Sequence, residues 1–229
     1  MDLAENLSNS FEYAKKLFSD AGRLIILIVL DIIPVVNWIV VGYATKVLRE
    51  SPRSDPPPKL EKYSDLFIEG AKVFFASLVY MIIPLGLISA GIGSFVAAMI
   101  MRGGPDFFSK GFKPDEIFLF GGAGLLFVII GAILAFIMLI VVAAGIAHMT
   151  KTGSFGKAFA FGEILGVIRK IGWGRYLAWI VVAAAISALV GAVAGAVPFI
   201  GWLIRGIISP ALMVFFFRSL GLLYSESTK

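Results

Sequence analysis

Residues 117–147 read IFLFGGAGLLFVIIGAILAFIMLIVVAAGIA, thirty-one consecutive positions without a charged side chain. About 20 helical residues cross a hydrocarbon core roughly 30 Å thick. Surface helices of soluble domains are shorter and carry polar residues on one face. This stretch therefore sets lipid as the solvent and all-α as the fold class. It is longer than a straight span requires, so it must bend, near Gly131, or project into water.

Three further runs of the same kind lie around it. Residues 73–101 contain Pro84 and many small residues, residues 176–197 follow a belt of Trp173, Tyr176 and Trp179, and residues 202–224 carry Arg205 near their start and Pro210 inside. Interfacial aromatics of that kind mark membrane boundaries. The whole chain agrees. Of 229 residues, 59% are hydrophobic and 15% charged, with mean hydropathy +0.94. Soluble domains devote about a quarter of their residues to charge. The length suits one membrane domain, 1–229. The expected architecture is a polytopic membrane helix bundle. It has about four full transmembrane helices, an N-terminal re-entrant or kinked hairpin, and interfacial amphipathic helices.

The hairpin is read from residues 21–49. This run is apolar but interrupted by Asp31, Pro34 and Asn37. Proline lacks an N–H and restricts the residue before it. Either the segment is one kinked span, or it is two half-helices that enter and return. Each half measures roughly 18 Å at helical rise, too short to cross. A second stretch favours the turn. Ile33-Pro34-Val35-Val36-Asn37-Trp38-Ile39-Val40-Val41-Gly42 matches Val197-Pro198-Phe199-Ile200-Gly201-Trp202-Leu203-Ile204-Arg205-Gly206 at Pro, Trp and Gly. A turn is required at Pro198 and Gly201, because a full span lies on either side. Asn37 stands where Gly201 stands, and Asn tolerates turn conformations.

Two amphipathic segments flank the spans. In residues 9–20, Phe11, Ala14, Leu17 and Phe18 share a face, and Asn9 with Glu12 resembles a capping box. The segment lies in the headgroup layer or packs on its own protein. In residues 154–171, Phe161, Ile164, Leu165, Ile168 and Ile171 form a face, which predicts a helix on the membrane surface. Residues 51–65 form a polar, proline-rich loop and read as a solvated connector.

Charge sets the expected orientation. Lys46 to Lys72 holds six Lys or Arg, and Lys151 to Arg175 holds five. Two spans separate these loops, so both are expected in the cytoplasm, together with the C-terminus. The N-terminus has acids where a cleaved signal needs Lys or Arg, so no cleaved signal is expected. The net charge of +5 reads as membrane flanking, and no basic–aromatic patch points to nucleic acid.

No cysteine and one histidine, His148, are present. Thiolate chemistry is excluded, and so is any site needing several imidazoles. No HExxH, GxSxG or GxxxxGK[ST] motif occurs. No enzyme, cofactor or metal site is expected. His148 reads as an interfacial residue at the end of its span. The polar groups that need explaining are Asp31, Asn37 and Arg205, because ionisable groups at membrane depth are functional candidates. Asp31 either holds a cation or proton, or is satisfied by backbone N–H groups of the Pro34 turn. Arg205 either snorkels to the interface or pairs with Asp31. Ser77, Tyr80, Ser89 and Ser94 line a wet path or pack. Ala184, Ser187, Ala188, Gly191, Ala192 and Gly195 form a small-residue ridge suited to close helix packing, within the chain or in a homo-oligomer.

Three blocks in order carry a family resemblance: Ile33 to Trp38 with Gly42-Tyr43-Ala44-Thr45-Lys46-Val47-Leu48-Arg49; Ser64-Asp65-Leu66-Phe67-Ile68-Glu69-Gly70; and Thr152 to Phe159 with Ile171-Gly172-Trp173-Gly174-Arg175-Tyr176. The chain resembles the domain-of-unknown-function 4013 family over essentially its whole length. Family members often carry Trp before the second block, where this chain has Tyr63. The resemblance implies a prokaryotic, chiefly archaeal, cytoplasmic-membrane protein. It implies no reaction or ligand. The function expected from the residues is transport or conduction of a small solute or ion, the alternative being a membrane-embedded scaffold that binds proteins or lipids.

Overall fold

The computed structural model describes residues 1–101, 122–197 and 200–227. Among the described residues it forms eight α-helices: α1 (Leu3–Lys15), α2 (Ala21–Ile32), α3 (Trp38–Glu50), α4 (Tyr63–Met101), α5 (Ala123–Thr152), α6 (Phe161–Ile171), α7 (Trp173–Gly195) and α8 (Gly201–Glu226). Helices α4, α5, α7 and α8 are long and apolar enough to cross a membrane. Their outer faces present Ile83, Phe136, Val181 and Leu189, each more than 60% exposed. Water would not tolerate such a continuous apolar surface, and lipid requires it. The polar segment expected at 102–116 and the turn at Pro198 lie outside the described residues.

The chain divides into two compact units, Ser77–Ile140 and the remainder, Met1–Ala76 with Val141–Lys229. Within Ser77–Ile140, α4 and α5 meet through glycine. A Cβ on Gly91 would lie 2.4 Å from the Gly124 carbonyl oxygen, and one on Gly131 would lie 2.9 Å from that of Pro84. Backbones this close need a residue without a side chain.

In the larger unit α8 is the central post, with α1, α2, α3, α6 and α7 packed on it. Tyr13, Leu17, Leu27, Val40, Tyr43, Val47, Val214 and Phe215 form the core. The segment 21–49 is two helices joined by a turn at residues 33–37. The amide of Asn37 donates to the Ile33 carbonyl at 3.0 Å. The residue that takes the left-handed conformation is Val35, at φ +70°. Asn37 is helical, at φ −58°, and its side chain makes no capping bond. So the turn lies where Pro34 predicts it, but Asn37 does not supply its unusual dihedral. A β-branched residue in that region is strained.

The pair α2–α3 runs along α8. A Cβ on Gly206 would approach Ile32 to 3.6 Å, while one on Gly221 would lie 2.9 Å from the Leu48 carbonyl oxygen. Fifteen residues of α8 separate these levels, roughly 22 Å of helix. The start of α4 crosses α3 backbone to backbone. A Cβ on Gly42 would sit 1.7 Å from the Leu66 carbonyl oxygen, and one on Gly70 1.8 Å from that of Trp38.

Three local expectations are corrected. The first helix begins at Leu3, not Asn9, and its cap is Asp2, whose carboxylate accepts from the Glu5 amide at 2.7 Å. It packs on the protein through Asn6, Ser10, Tyr13 and Ala14, leaving Phe11 and Phe18 exposed. Its buried face includes two polar residues, so a purely hydrophobic reading rotates it. Residues 154–171 form a 3-10 turn at Phe155–Phe159 followed by α6, broken at Ala160. Helix α6 turns Ile164, Ile168 and Ile171 into the protein. The proline-rich loop is held to the body. Arg23 donates to the Pro57 and Pro58 carbonyls at 2.9 and 2.8 Å, and the Tyr43 hydroxyl donates to Pro58 at 2.8 Å. Lys16 and Asp55 form an ion pair at 2.5 Å. Prolines have no N–H, so their carbonyls become anchor points for other donors.

Candidate functional site

Polar side chains gather at the two ends of α8. At its N-terminal end, the Ser209 hydroxyl stands beside the carboxylate of Asp31, in the last turn of α2. Arg205 stands one helical turn before Ser209 on the same helix. Among the described residues no ion pair joins Asp31 to Arg205. Arg205 instead lines a cavity of about 210 Å³ between α7 and α8, with Ser187, Gly191 and Ser209. Two backbone N–H groups of the Pro34 turn are engaged locally: Asn37 donates to Ile33, and Trp38 to Val35 at 3.2 Å.

At the C-terminal end a larger cavity of about 740 Å³ opens between the chain that follows α3 and the last turns of α5 and α8. Arg49, Arg53 and Lys151 line it, with Glu50, Thr152 and Tyr224. Arg49 is ion-paired to Glu69 at 2.7 Å. Lys151 donates to the backbone carbonyls of Arg49, at 3.1 Å, and of Ser51. Behind this wall lies Arg218, only 4% exposed. It donates to Ser51 Oγ at 3.1 Å and to the carbonyls of Ser54 and Pro52 at 3.0 and 3.3 Å. Its guanidinium carbon sits 4.3 Å over the Tyr13 ring. Burial raises the Tyr13 phenol above its ordinary value, so at neutral pH the ring faces the cation uncharged.

A hydrogen-bond chain runs from this cavity to the surface. The Tyr224 hydroxyl is 2.8 Å from His148 Nδ1, and His148 Nε2 is 2.7 Å from Glu163. Lys157 is paired with Glu163 on its other oxygen. An ionised carboxylate only accepts, so Nε2 carries the proton. In the neutral ring Nδ1 then accepts from Tyr224. Lys157 and His148 together hold the Glu163 carboxyl below its ordinary range.

The expected site residues are thus separated. Asp31 and Arg205 share the neighbourhood of Ser209, while Asn37 makes no side-chain bond as a cap. The small-residue ridge is largely uncovered: Ala184, Ser187, Ala188, Ala192 and Gly195 are exposed, and Gly191 faces the Arg205 cavity. Gly201 is where the chain returns. Its Cβ would lie 1.8 Å from the Ala194 carbonyl oxygen. Sequence reading missed Arg218, Lys151 and Tyr224, because basic and aromatic residues at helix ends read as ordinary membrane flanks. Among the described residues no group of three or more His, Asp or Glu is placed to hold a metal ion.

The four long apolar helices define a multi-pass helical membrane protein. The chain belongs to the family described as "Protein of unknown function (DUF4013)", whose model matches residues 25–199. No curated protein and no solved structure matches it.

Proposed function

We propose that the protein is a membrane transporter or channel for a small charged solute, with the Asp31–Ser209–Arg205 cluster on its path. The observation that carries this reading is the Asp31 carboxylate beside the Ser209 hydroxyl of a spanning helix, one turn from Arg205. Ionisable groups are retained among apolar helices where they meet one another, water or a solute. The α2–α3 pair supports the reading. It covers roughly 22 Å along α8, short of a hydrocarbon core of about 30 Å. A hairpin that re-enters the membrane and ends in a broken turn is a common way to build a solute site. In this reading both basic loops and the C-terminus are cytoplasmic, and the protein performs no covalent chemistry. The exposed ridge from Ala184 to Gly195 packs against a second copy.

Reconstituted protein should conduct or exchange at least one member of a broad panel of ions and small solutes in liposomes. Asp31→Asn should reduce that flux without loss of reconstituted protein. Flux absent across the panel would replace this reading with the scaffold. The topology is tested separately, because the chain has no cysteine. Ser8→Cys labelled only from outside the cell would remove the re-entrant hairpin, and Ser109→Cys protected from outside would remove the whole orientation.

A further inference from the structure

The 740 Å³ cavity at the other end of α8 plays no part in that pathway. From Arg205 to Tyr224 is nineteen residues of helix, roughly 28 Å.

Its charges do not balance. Arg49 shares the Glu69 carboxylate with Lys72. Arg53 forms no hydrogen bond or ion pair among the described residues, and the acids nearest it are committed or single. Asp55 is paired with Lys16, and Glu50 is the one carboxylate in the wall. Lys151 is held only by backbone carbonyls. Arg218, behind the wall, has hydroxyl, amide and carbonyl partners but no carboxylate at ion-pair distance. Its Nε is buried without a partner. The Arg53 and Arg218 charges both act on the Lys151 ammonium. Three cations therefore face one carboxylate, an excess of two positive charges.

Donors remain to be used. An ammonium has three N–H groups, and Lys151 spends two on Arg49 and Ser51. The third has no acceptor among the described residues, and Lys151 lines the cavity. Arg53 has its whole guanidinium fork free, the geometry that suits phosphate oxygens. A phosphate monoester carries close to two negative charges at neutral pH, which matches the excess. The volume exceeds what bare phosphate fills and falls in the range of organic-ligand sites, about 300–1,000 Å³.

We propose that this cavity binds the phosphate group of an organic phosphate monoester, with Arg53 and Lys151 as its charged contacts and Arg218 as the buried charge behind them. The same chemistry is presented by a soluble phosphate ester and by a monoester lipid headgroup, since the cavity opens where α5 and α8 end.

The test uses the full chain, purified in neutral detergent or in phosphatidylcholine nanodiscs. One arm titrates sn-glycerol 3-phosphate, with glycerol as the control. The other arm adds phosphatidic acid to the nanodiscs and counts bound lipid by native mass spectrometry. Binding in either arm should weaken roughly tenfold or more in Arg53→Gln and in Lys151→Gln. It should be unchanged in Lys170→Gln, which removes the same charge from α6 outside the cavity. Binding in the first arm identifies a soluble ester, and binding only in the second identifies a headgroup. No binding in either arm, or equal weakening by Lys170→Gln, overturns the proposal. Arg53 is exposed and makes no contact that folding needs, so its variant decides the matter if Lys151→Gln does not fold. Flux through the Asp31 cluster can fail while this binding stands, and the reverse.

Discussion

Arg218, near the end of the last helix, lies with its guanidinium carbon 4.3 Å above the ring of Tyr13 in the first. The contact joins the two ends of the chain. Beside it Asn6 donates to the Ser219 carbonyl at 3.1 Å, and Trp179 donates to Ser219 Oγ at 2.8 Å. Three helices are thus tied by polar groups beside the apolar core. Directional bonds of this kind fix the rotation of a helix that a greasy face alone leaves free.

Removing Arg218 should be costly. Arg218→Met keeps the bulk but leaves the Ser54 and Pro52 carbonyls without their donor. Hydrogen bonds to a charged group contribute about 1.5–3 kcal/mol each, so a net loss of roughly 2–4 kcal/mol is expected. Tyr13→Phe keeps the ring beneath the cation and loses only the long 3.4 Å contact to Ser54 Oγ. It should cost under about 1 kcal/mol. Thermal unfolding in detergent checks both, and a Tyr13→Phe loss as large as that of Arg218→Met would show that the phenol, not the ring, is the anchor.

The crossing of α3 and α4 makes a second prediction. A methyl on Gly42 or Gly70 would meet backbone oxygen at 1.7 or 1.8 Å, and backbone cannot rotate away as a side chain does. Gly42→Ala and Gly70→Ala should each destabilise by roughly 1–3 kcal/mol. Gly86 has nothing within 4 Å of a Cβ, so Gly86→Ala should be tolerated. If all three behave alike, the close crossing is wrong.

These positions show what the sequence made legible. The spans were readable because a membrane helix must be apolar along its whole length, and 117–147 meets that condition by itself. The break at Pro34 was readable because proline cannot donate. The identity of its left-handed residue was not. Val35 is β-branched, and nothing in its side chain favours φ +70°. Likewise the buried face of α1 includes polar Asn6 and Ser10; Asn6 is met by Ser219, more than 200 positions away, and the Ser10 hydroxyl donates to the Asn6 carbonyl. The basic cavity was invisible for the same reason. Arg53, Lys151 and Arg218 are distant in the chain, and each alone looks like a cytoplasmic flank.

Acid should loosen α6. Hydrogen bonds from Lys157 and His148 hold Glu163 below its ordinary 4.5. Its folded value lies below its unfolded value, so the stability it contributes is fully present above about pH 4.5 and is lost as pH falls through the lower folded value. Glu163→Gln should be less stable than the parent at neutral pH and should show a flatter decline in acid. Melting temperatures taken from neutral pH downward test this. Parallel curves for the two proteins would mean that the Lys157–Glu163–His148 contacts contribute nothing.

The last prediction concerns Asp31. The matching segments around Pro34 and Pro198 suggest that Asp31 and Arg205 face each other as an ion pair. The structure places the Ser209 hydroxyl beside Asp31, and Arg205 on the cavity with Ser187 and Gly191. A double-mutant cycle separates the two arrangements. Residues in direct contact couple by about 0.5–3 kcal/mol, while independent sites add to within about 0.5. Asp31→Asn with Ser209→Ala should therefore be non-additive in unfolding free energy, and Asp31→Asn with Arg205→Gln should be nearly additive. Strong coupling only in the second cycle would restore the ion pair. The distinction bears on transport, because a carboxyl group paired with arginine is closed to a cation, whereas one beside a hydroxyl stays open to a passing solute.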